Sequence, residues 1–222
     1  MRFEGIYTPI ITPFHEDGSI DWEGYANVIE WQIENGVAGV VIGGSTGEFY
    51  AMSKEERIKQ FKFAIERING RIEMMAGVND IRADECLDLT AAAREAGAQS
   101  LLVAAPPYSL PSEQELAAHV LKIDQVSDLP SIELVVGGEE QVLEFAVWGA
   151  KAWVCATGNI FPSECVKFLD LIANKGDFER GRRIMTEFMP LMAILEQGGK
   201  FLQCVKYGCC LQDRPSGIVR PP

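Results

Sequence analysis

The chain has 222 residues, 47% hydrophobic and 23% charged, a balance that supports a sizeable core and excludes wholesale disorder. Lys and Arg number 20 against 32 Asp and Glu, and the resulting net charge of −12 leaves no general basic footprint for nucleic acid or an anionic membrane. No run approaches the roughly 18 apolar residues of a spanning helix, and Met1 to Gly5 lacks a signal-peptide layout.

Six cysteines contain no Cys-x-x-Cys pair, and the only histidines are His15 and His119. Neither a secreted disulfide framework nor a Cys/His metal site is expected, and the expected compartment is the cytoplasm.

The first apolar run, Ile6 to Ile11, predicts a strand ended by Thr12-Pro13-Phe14 and a turn at Asp17-Gly18. Asp21 then caps a helix with Tyr25, Val28 and Ile29 inward, stopped by Asn35-Gly36. Val37 to Ile42 is a second strand, followed by Gly43 and Gly44. Ser53 and Glu56 form a capping box, opening a helix with Ile58, Phe61, Ile65 and Ile68 on one face.

Ile72 to Val78 reads as strand, Leu87 to Ala96 as helix, and Ser100 to Ala104 as strand. A second capping box, Ser112 with Glu115, begins a helix carrying Leu116, Val120 and Ile123. Beyond Leu129-Pro130 come a strand at Ile132 to Val136, a helix from about Glu139 to Trp148, and a strand at Ala152 to Ala156. From about residue 162 the pattern is helical, with Ser163 to Ala173 followed by a longer helix bearing Met185, Phe188, Met192 and Leu195.

Six β-α alternations with no linker predict one domain over residues 1–222, built on a parallel sheet covered by helices. Both a doubly wound open sheet and a (β/α)₈ barrel short of strands fit. The pattern alone leans to the open sheet, because six units do not close an eight-stranded barrel.

In either architecture ligands bind at the C-terminal ends of strands. Gly43-Gly-Ser-Thr-Gly-Glu48 is the most informative such place, with two glycines, two hydroxyls and adjacent N–H donors suited to a carboxylate or phosphate. It is neither a Walker loop nor a dinucleotide fingerprint, and a ligand-free tight turn is the alternative. Tyr108 after Pro106-Pro107 has the chemistry of a proton relay or of an aromatic filling the mouth. Glu139 and Glu140 read either as a catalytic pair or as the acidic first turn of a helix. Cys209-Cys210 suggests no role.

Thr12-Pro13-Phe14, Asp17-Gly18, Asp21, the loop at 43–48 and Pro106-Pro-Tyr108 together resemble dihydrodipicolinate synthase and N-acetylneuraminate lyase. Gly137-Gly-Glu-Glu140, Trp148-Gly149, Val154 to Asn159 and Arg220-Pro221 follow in the same order. The resemblance implies a TIM (β/α)₈ barrel of the class I aldolase type, here with about six βα units plus C-terminal helices, and a homo-oligomer, dimer or tetramer. It implies a Schiff base between a lysine and pyruvate or a related 2-oxo acid, with no metal or organic cofactor. By position, Ser45 and Tyr108 resemble members of the proton relay, Thr46 the carboxylate clamp, and Gly138 and Val154 residues lining the pocket.

The family's fifth-strand tyrosine segment and its sixth-strand Ile-Lys-Glu segment are absent, since Leu129-Pro130 runs directly into Ser131-Ile132. At about 30 residues per unit, two lost units amount to roughly 50 to 60 residues. No other lysine is placed to substitute; Lys206 reads as part of the tail. The implied activity is synthase-like aldol condensation of pyruvate with an aldehyde. The alternatives are a 2-keto-3-deoxy sugar acid aldolase or dehydratase, an N-acetylneuraminate lyase, or an inactive fragment or binding scaffold. Phe49-Tyr50 adds bulk at the mouth, which leans towards a branch other than the synthases. The literal chain is expected not to turn over.

Overall fold

A computed structural model describes residues 3–105, 111–128 and 135–221. The apolar runs form five parallel strands, β1 (Gly5–Pro9), β2 (Gly39–Ile42), β3 (Glu73–Gly77), β4 (Ser100–Leu102) and β5 (Ala152–Val154). Their order is β4-β3-β2-β1-β5, and Val136 adds an isolated parallel bridge to Trp153 on the far side of β5. Residues 132–134 of the expected strand before it lie outside the described residues.

This order decides between the two architectures. From β1 to β4 each step moves one way across the sheet, and the step from Val136 to β5 moves the same way. Right-handed crossovers that never reverse direction keep the helices on one face, whereas a doubly wound sheet reverses at its switch point. The fold is therefore a partial TIM-type barrel, with β4 and Val136 unpaired to each other among the described residues, rather than the open sheet.

Side chains alternate across the strands as the period of two requires. Tyr7, Val41, Met75 and Ala152 cluster on the inner face, with Leu102, Val135 and Val154 packed against them. Ile6, Val40, Ile42, Met74, Ala76 and Trp153 point outward into the main core under the helices. Those helices are α1 (Trp22–Glu34), α2 (Lys54–Ile68), α3 (Ala83–Ala96), α4 (Glu113–Ser127), α5 (Val142–Val147), α6 (Pro162–Leu169), α7 (Phe178–Gln197) and α8 (Phe201–Leu211).

Asp21 caps α1 by accepting from the Gly24 N–H at 2.8 Å, and both expected capping boxes are closed, at Ser53/Glu56 and Ser112/Glu115. Three helices differ from expectation, and the one expected from Leu87 begins already at Ala83. The helix expected from Glu139 begins only at Val142, because Glu139 turns inward to accept hydrogen bonds. The helix expected to run to Ala173 is α-helical only to Leu169 and continues as a π-turn over Asp170–Asn174.

Candidate active site

Buried polar residues gather at the C-terminal ends of the strands: Thr12, Thr46, Glu48, Asn79, Glu139, Thr157 and Asn159 are each at most 6% exposed. Polar groups withdrawn from water need hydrogen bonds, and all of these residues but Thr46 make them here, forming a framework at this end of the sheet.

The loop after β2 leaves the strand through Gly43, whose φ of +73° suits glycine. A Cβ on Gly77 would lie 2.4 Å from the Gly43 carbonyl oxygen, so β3 and the loop meet backbone to backbone. The turn closes on itself, with the Gly47 and Phe49 N–H groups donating to the Gly44 carbonyl and the Glu48 N–H to that of Ser45. Among the described residues, no hydrogen bond takes up the N–H or hydroxyl of Ser45 or Thr46. Two adjacent N–H donors and two hydroxyls therefore remain available at the strand end, a set matched to a carboxylate.

Beneath the loop the Thr12 hydroxyl donates to the Gly47 carbonyl at 2.8 Å and accepts from the Gln60 amide at 3.0 Å. Glu48 adopts the left-handed conformation, φ 61° and ψ 38°, which costs a non-glycine residue on the order of 1 kcal/mol or more. Its carboxylate is fully buried and pairs with the Lys206 ammonium, while the Arg220 N–H donates to its other oxygen at 2.8 Å. The Arg57 guanidinium, itself buried, lies 5.2 Å from the Phe49 ring centre and donates to the Gly77 carbonyl at 2.9 Å. Phe49 thus packs over Arg57, and Tyr50 is more than half exposed.

On the other side of β1, Val154 lines the inner face opposite Tyr7, and its N–H donates to the Val136 carbonyl at 2.8 Å, bringing Gly138 to the same end of the sheet. Glu139 is buried and accepts the Thr157 hydroxyl proton at 2.7 Å together with the Ala156 N–H. Burial pushes its carboxyl above the ordinary range, and the hydrogen bonds from Thr157 and Ala156 offset part of that rise. Glu140 is exposed, so the two glutamates do not form a pair sharing one environment. Asn159 joins this turn to β1, accepting from the Ile11 N–H at 3.0 Å and donating to the carbonyls of Pro9 and Ala156.

Ser45, Thr46, Gly138 and Val154 thus share one end of the sheet. Tyr108 lies outside the described residues. All nine lysines are within them, and none is on a strand. Lys151 precedes β5 at the opposite end and donates to the Ala173 carbonyl at 2.7 Å.

Lys206 lies on α8 in the helical tail, where it is 3% exposed and donates to the Thr12 and Ile218 carbonyls besides pairing with Glu48. Two carbonyl acceptors and a buried carboxylate thus surround the ammonium. The signal was available, since Leu202, Val205 and Cys209 mark the inward stripe of α8 and Lys206 stands on it.

The sequence profile of the dihydrodipicolinate synthetase family matches residues 2–136. The 4-hydroxy-tetrahydrodipicolinate synthase of Methanocaldococcus jannaschii is 27% identical over 273 aligned positions, covering 99% of this chain and 92% of that protein. The enzyme of the same name from Maridesulfovibrio salexigens is 37% identical over 138 residues, 62% of this chain and 47% of that protein. A crystal structure of a dihydrodipicolinate synthase superposes with a TM-score of 0.91 at 27% identity, over 99% of this chain and 92% of that one. N-acetylneuraminate lyase from Fusobacterium nucleatum shares the fold, with a TM-score of 0.86 at 21% identity over 99% of this chain and 92% of that one.

An alignment of 273 positions against 222 residues leaves at least 51 positions with no counterpart here. That is on the order of two βα units, and among the described residues no strand joins β4 to Val136. The profile match, the superposition and this economy of strands fit one conclusion: the chain belongs to the dihydrodipicolinate synthetase family.

Proposed function

We propose that the C-terminal end of the sheet binds pyruvate or a closely related 2-oxo acid, as the first substrate of a dihydrodipicolinate synthase-like aldolase. The observation that carries this is the pair of N–H groups and hydroxyls at Ser45 and Thr46, unused among the described residues, on a loop that Thr12 ties down through the Gly47 carbonyl. Their geometry suits the planar carboxylate, while Val154 and Gly138 line the side where the keto group would lie. The Ser45 hydroxyl, with Tyr108, is our candidate for passing protons to and from the reacting ketone.

The condensing step needs an unprotonated amine inside the barrel to attack the keto carbon, expel water and form an imine. Among the described residues no strand carries a lysine, and the buried Lys206 is paired with Glu48 and hydrogen-bonded to two carbonyls. We therefore assign this 222-residue chain 2-oxo acid binding without imine formation. The lean towards another branch rested on bulk from Phe49 and Tyr50; Phe49 packs on Arg57, and Tyr50 stays exposed.

The test is a pyruvate titration followed by amide NMR, combined with intact-mass analysis after pyruvate and borohydride. Saturable shifts confined to the loop and β5 end, with no reduced adduct, are expected. An adduct would overturn the non-condensing assignment. The absence of any binding would overturn the carboxylate site.

A further inference from the structure

We propose that Lys206 and Glu48 are positioning residues for the carboxylate loop, and that the C-terminal segment 214–220 is built into the site through them. The ligand-binding consequence rests on the carboxylate reading above; the loop geometry does not.

The Ser45 and Thr46 N–H groups have no partner among the described residues, so the residues flanking them set their direction. On one flank Gly43 lies against the backbone of Gly77. On the other, Gly47 and Glu48 close a ring of contacts. The Glu48 carboxylate meets the Lys206 ammonium, that ammonium donates to the Thr12 carbonyl at 2.8 Å, and the Thr12 hydroxyl donates back to the Gly47 carbonyl at 2.8 Å. The ring holds a glutamate in the left-handed conformation two residues after Thr46, where glycine would be the ordinary choice. A side chain retained at such a position needs a compensating partner, and this one has a buried cation and the Arg220 N–H at 2.8 Å.

The same pair ties down the end of the described chain. Lys206 donates to the Ile218 carbonyl, and the Ile218 N–H donates to the Phe14 carbonyl at 3.1 Å. The Arg220 guanidinium grips Glu56 through two hydrogen bonds, at 2.8 and 2.7 Å, and reaches the Ala51 and Gly18 carbonyls. Phe14 lies between the two cations, its ring centre 5.0 Å from the Lys206 ammonium and 4.4 Å from the Arg220 guanidinium. Glu56 opens α2, so the segment fixes both the loop and the helix that follows it.

A pair that merely anchored α8 would affect stability without altering the loop. The experiment compares Lys206→Met, Lys206→Arg, Glu48→Gln and, as a control, Lys151→Met. Each is read by the NMR shifts and hydrogen exchange of the amides of residues 44–48 without ligand, and by pyruvate affinity.

The proposal expects Lys206→Met and Glu48→Gln to shift those amides and to weaken pyruvate binding by roughly tenfold, as small misplacements of binding groups do. Lys206→Arg keeps the cation and recovers most of both readouts, and Lys151→Met changes neither. Unmoved loop amides in folded Lys206→Met and Glu48→Gln, or Lys206→Arg behaving as Lys206→Met, would overturn it. Should Lys206→Met not fold, Glu48→Gln decides by the same two outcomes. If the unaltered chain does not bind pyruvate, the carboxylate reading falls while the ligand-free amides still decide the positioning role.

Discussion

The Glu139 carboxylate accepts the Thr157 hydroxyl proton at 2.7 Å, joining the turn after Val136 to the turn after β5 across 18 residues of chain. It also accepts the Ala156 and Thr157 N–H groups, so one buried side chain satisfies three donors at the end of β5. Truncation leaves those donors dry and unpaired, and Glu139→Ala should cost about 2–4 kcal/mol in chemical denaturation.

The same carboxyl gives a pH dependence. Burial raises it above the ordinary 4.5, so the folded protein keeps this proton to higher pH than the unfolded chain does. Stability from this group is therefore lost as pH climbs past 4.5 through the raised folded value. Glu139→Gln removes the titration. Denaturation midpoints of the unaltered chain should decline more steeply with rising pH in that window than those of Glu139→Gln, and parallel curves would refute the assignment.

Two glycines at the loop should respond in opposite ways. A Cβ on Gly77 would sit 2.4 Å from the Gly43 carbonyl oxygen and 2.7 Å from its carbon, a backbone clash that neither strand relieves by a rotamer change. Gly77→Ala should lose about 3 kcal/mol or more, because overpacking here shifts main chain. A Cβ on Gly44 meets only ordinary contacts, at 3.7 Å to Val41, 3.8 Å to Leu102 and 3.9 Å to Pro9. Gly44→Ala should fold with nearly unchanged stability while placing a methyl on the inner face, weakening pyruvate binding in the same titration.

Much of this arrangement was legible in the sequence because each helix announces its ends. Asp21, Ser53 and Ser112 cap as their spacing predicts, and the glycines at 43 and 44 mark the loop. Sheet order was not legible, since an apolar run records burial but not its neighbour. The direction of the crossovers, with Val136 paired to Trp153 on the side of β5 away from β1, separates a partial barrel from an open sheet. Glu139 was misread for a related reason. An acidic residue before a helix looks the same whether it faces water or Thr157, and the partner is 18 residues away.

Trp153 offers a test of the helix-facing layer. Its ring is 2% exposed, stands edge-on to Phe168 at 6.4 Å, and its Nε1–H has no hydrogen-bond partner among the described residues. It lines a groove with Cys165, Met185 and Met192. Trp153→Phe removes the orphaned donor together with part of the apolar contact, and these changes oppose each other. Its cost should stay within about 1 kcal/mol, against about 3–5 kcal/mol for Trp153→Ala. A large loss on Trp153→Phe would mean that the indole N–H has a partner in solution.

The pairing of Arg57 with Asp80 should be energetically lopsided. The two side chains meet at 3.3 Å, but that of Arg57 is 2% exposed and that of Asp80 30%. Burial pulls the guanidinium below its ordinary basicity, and Asp80 is the main charge opposing that effect. Asp80→Asn leaves a buried cation without its anion, the situation in which breaking an ion pair is most costly. Arg57→Met removes the charge that needed compensation, returns Asp80 to water, and forfeits the bond to the Gly77 carbonyl. Asp80→Asn should therefore cost about 2–3 kcal/mol and Arg57→Met about 1–2 kcal/mol, with the double variant close to Arg57→Met alone. Urea denaturation of the three variants checks the order, and Arg57→Met proving the costlier change would show that the guanidinium acts through packing and the Gly77 carbonyl rather than through its charge.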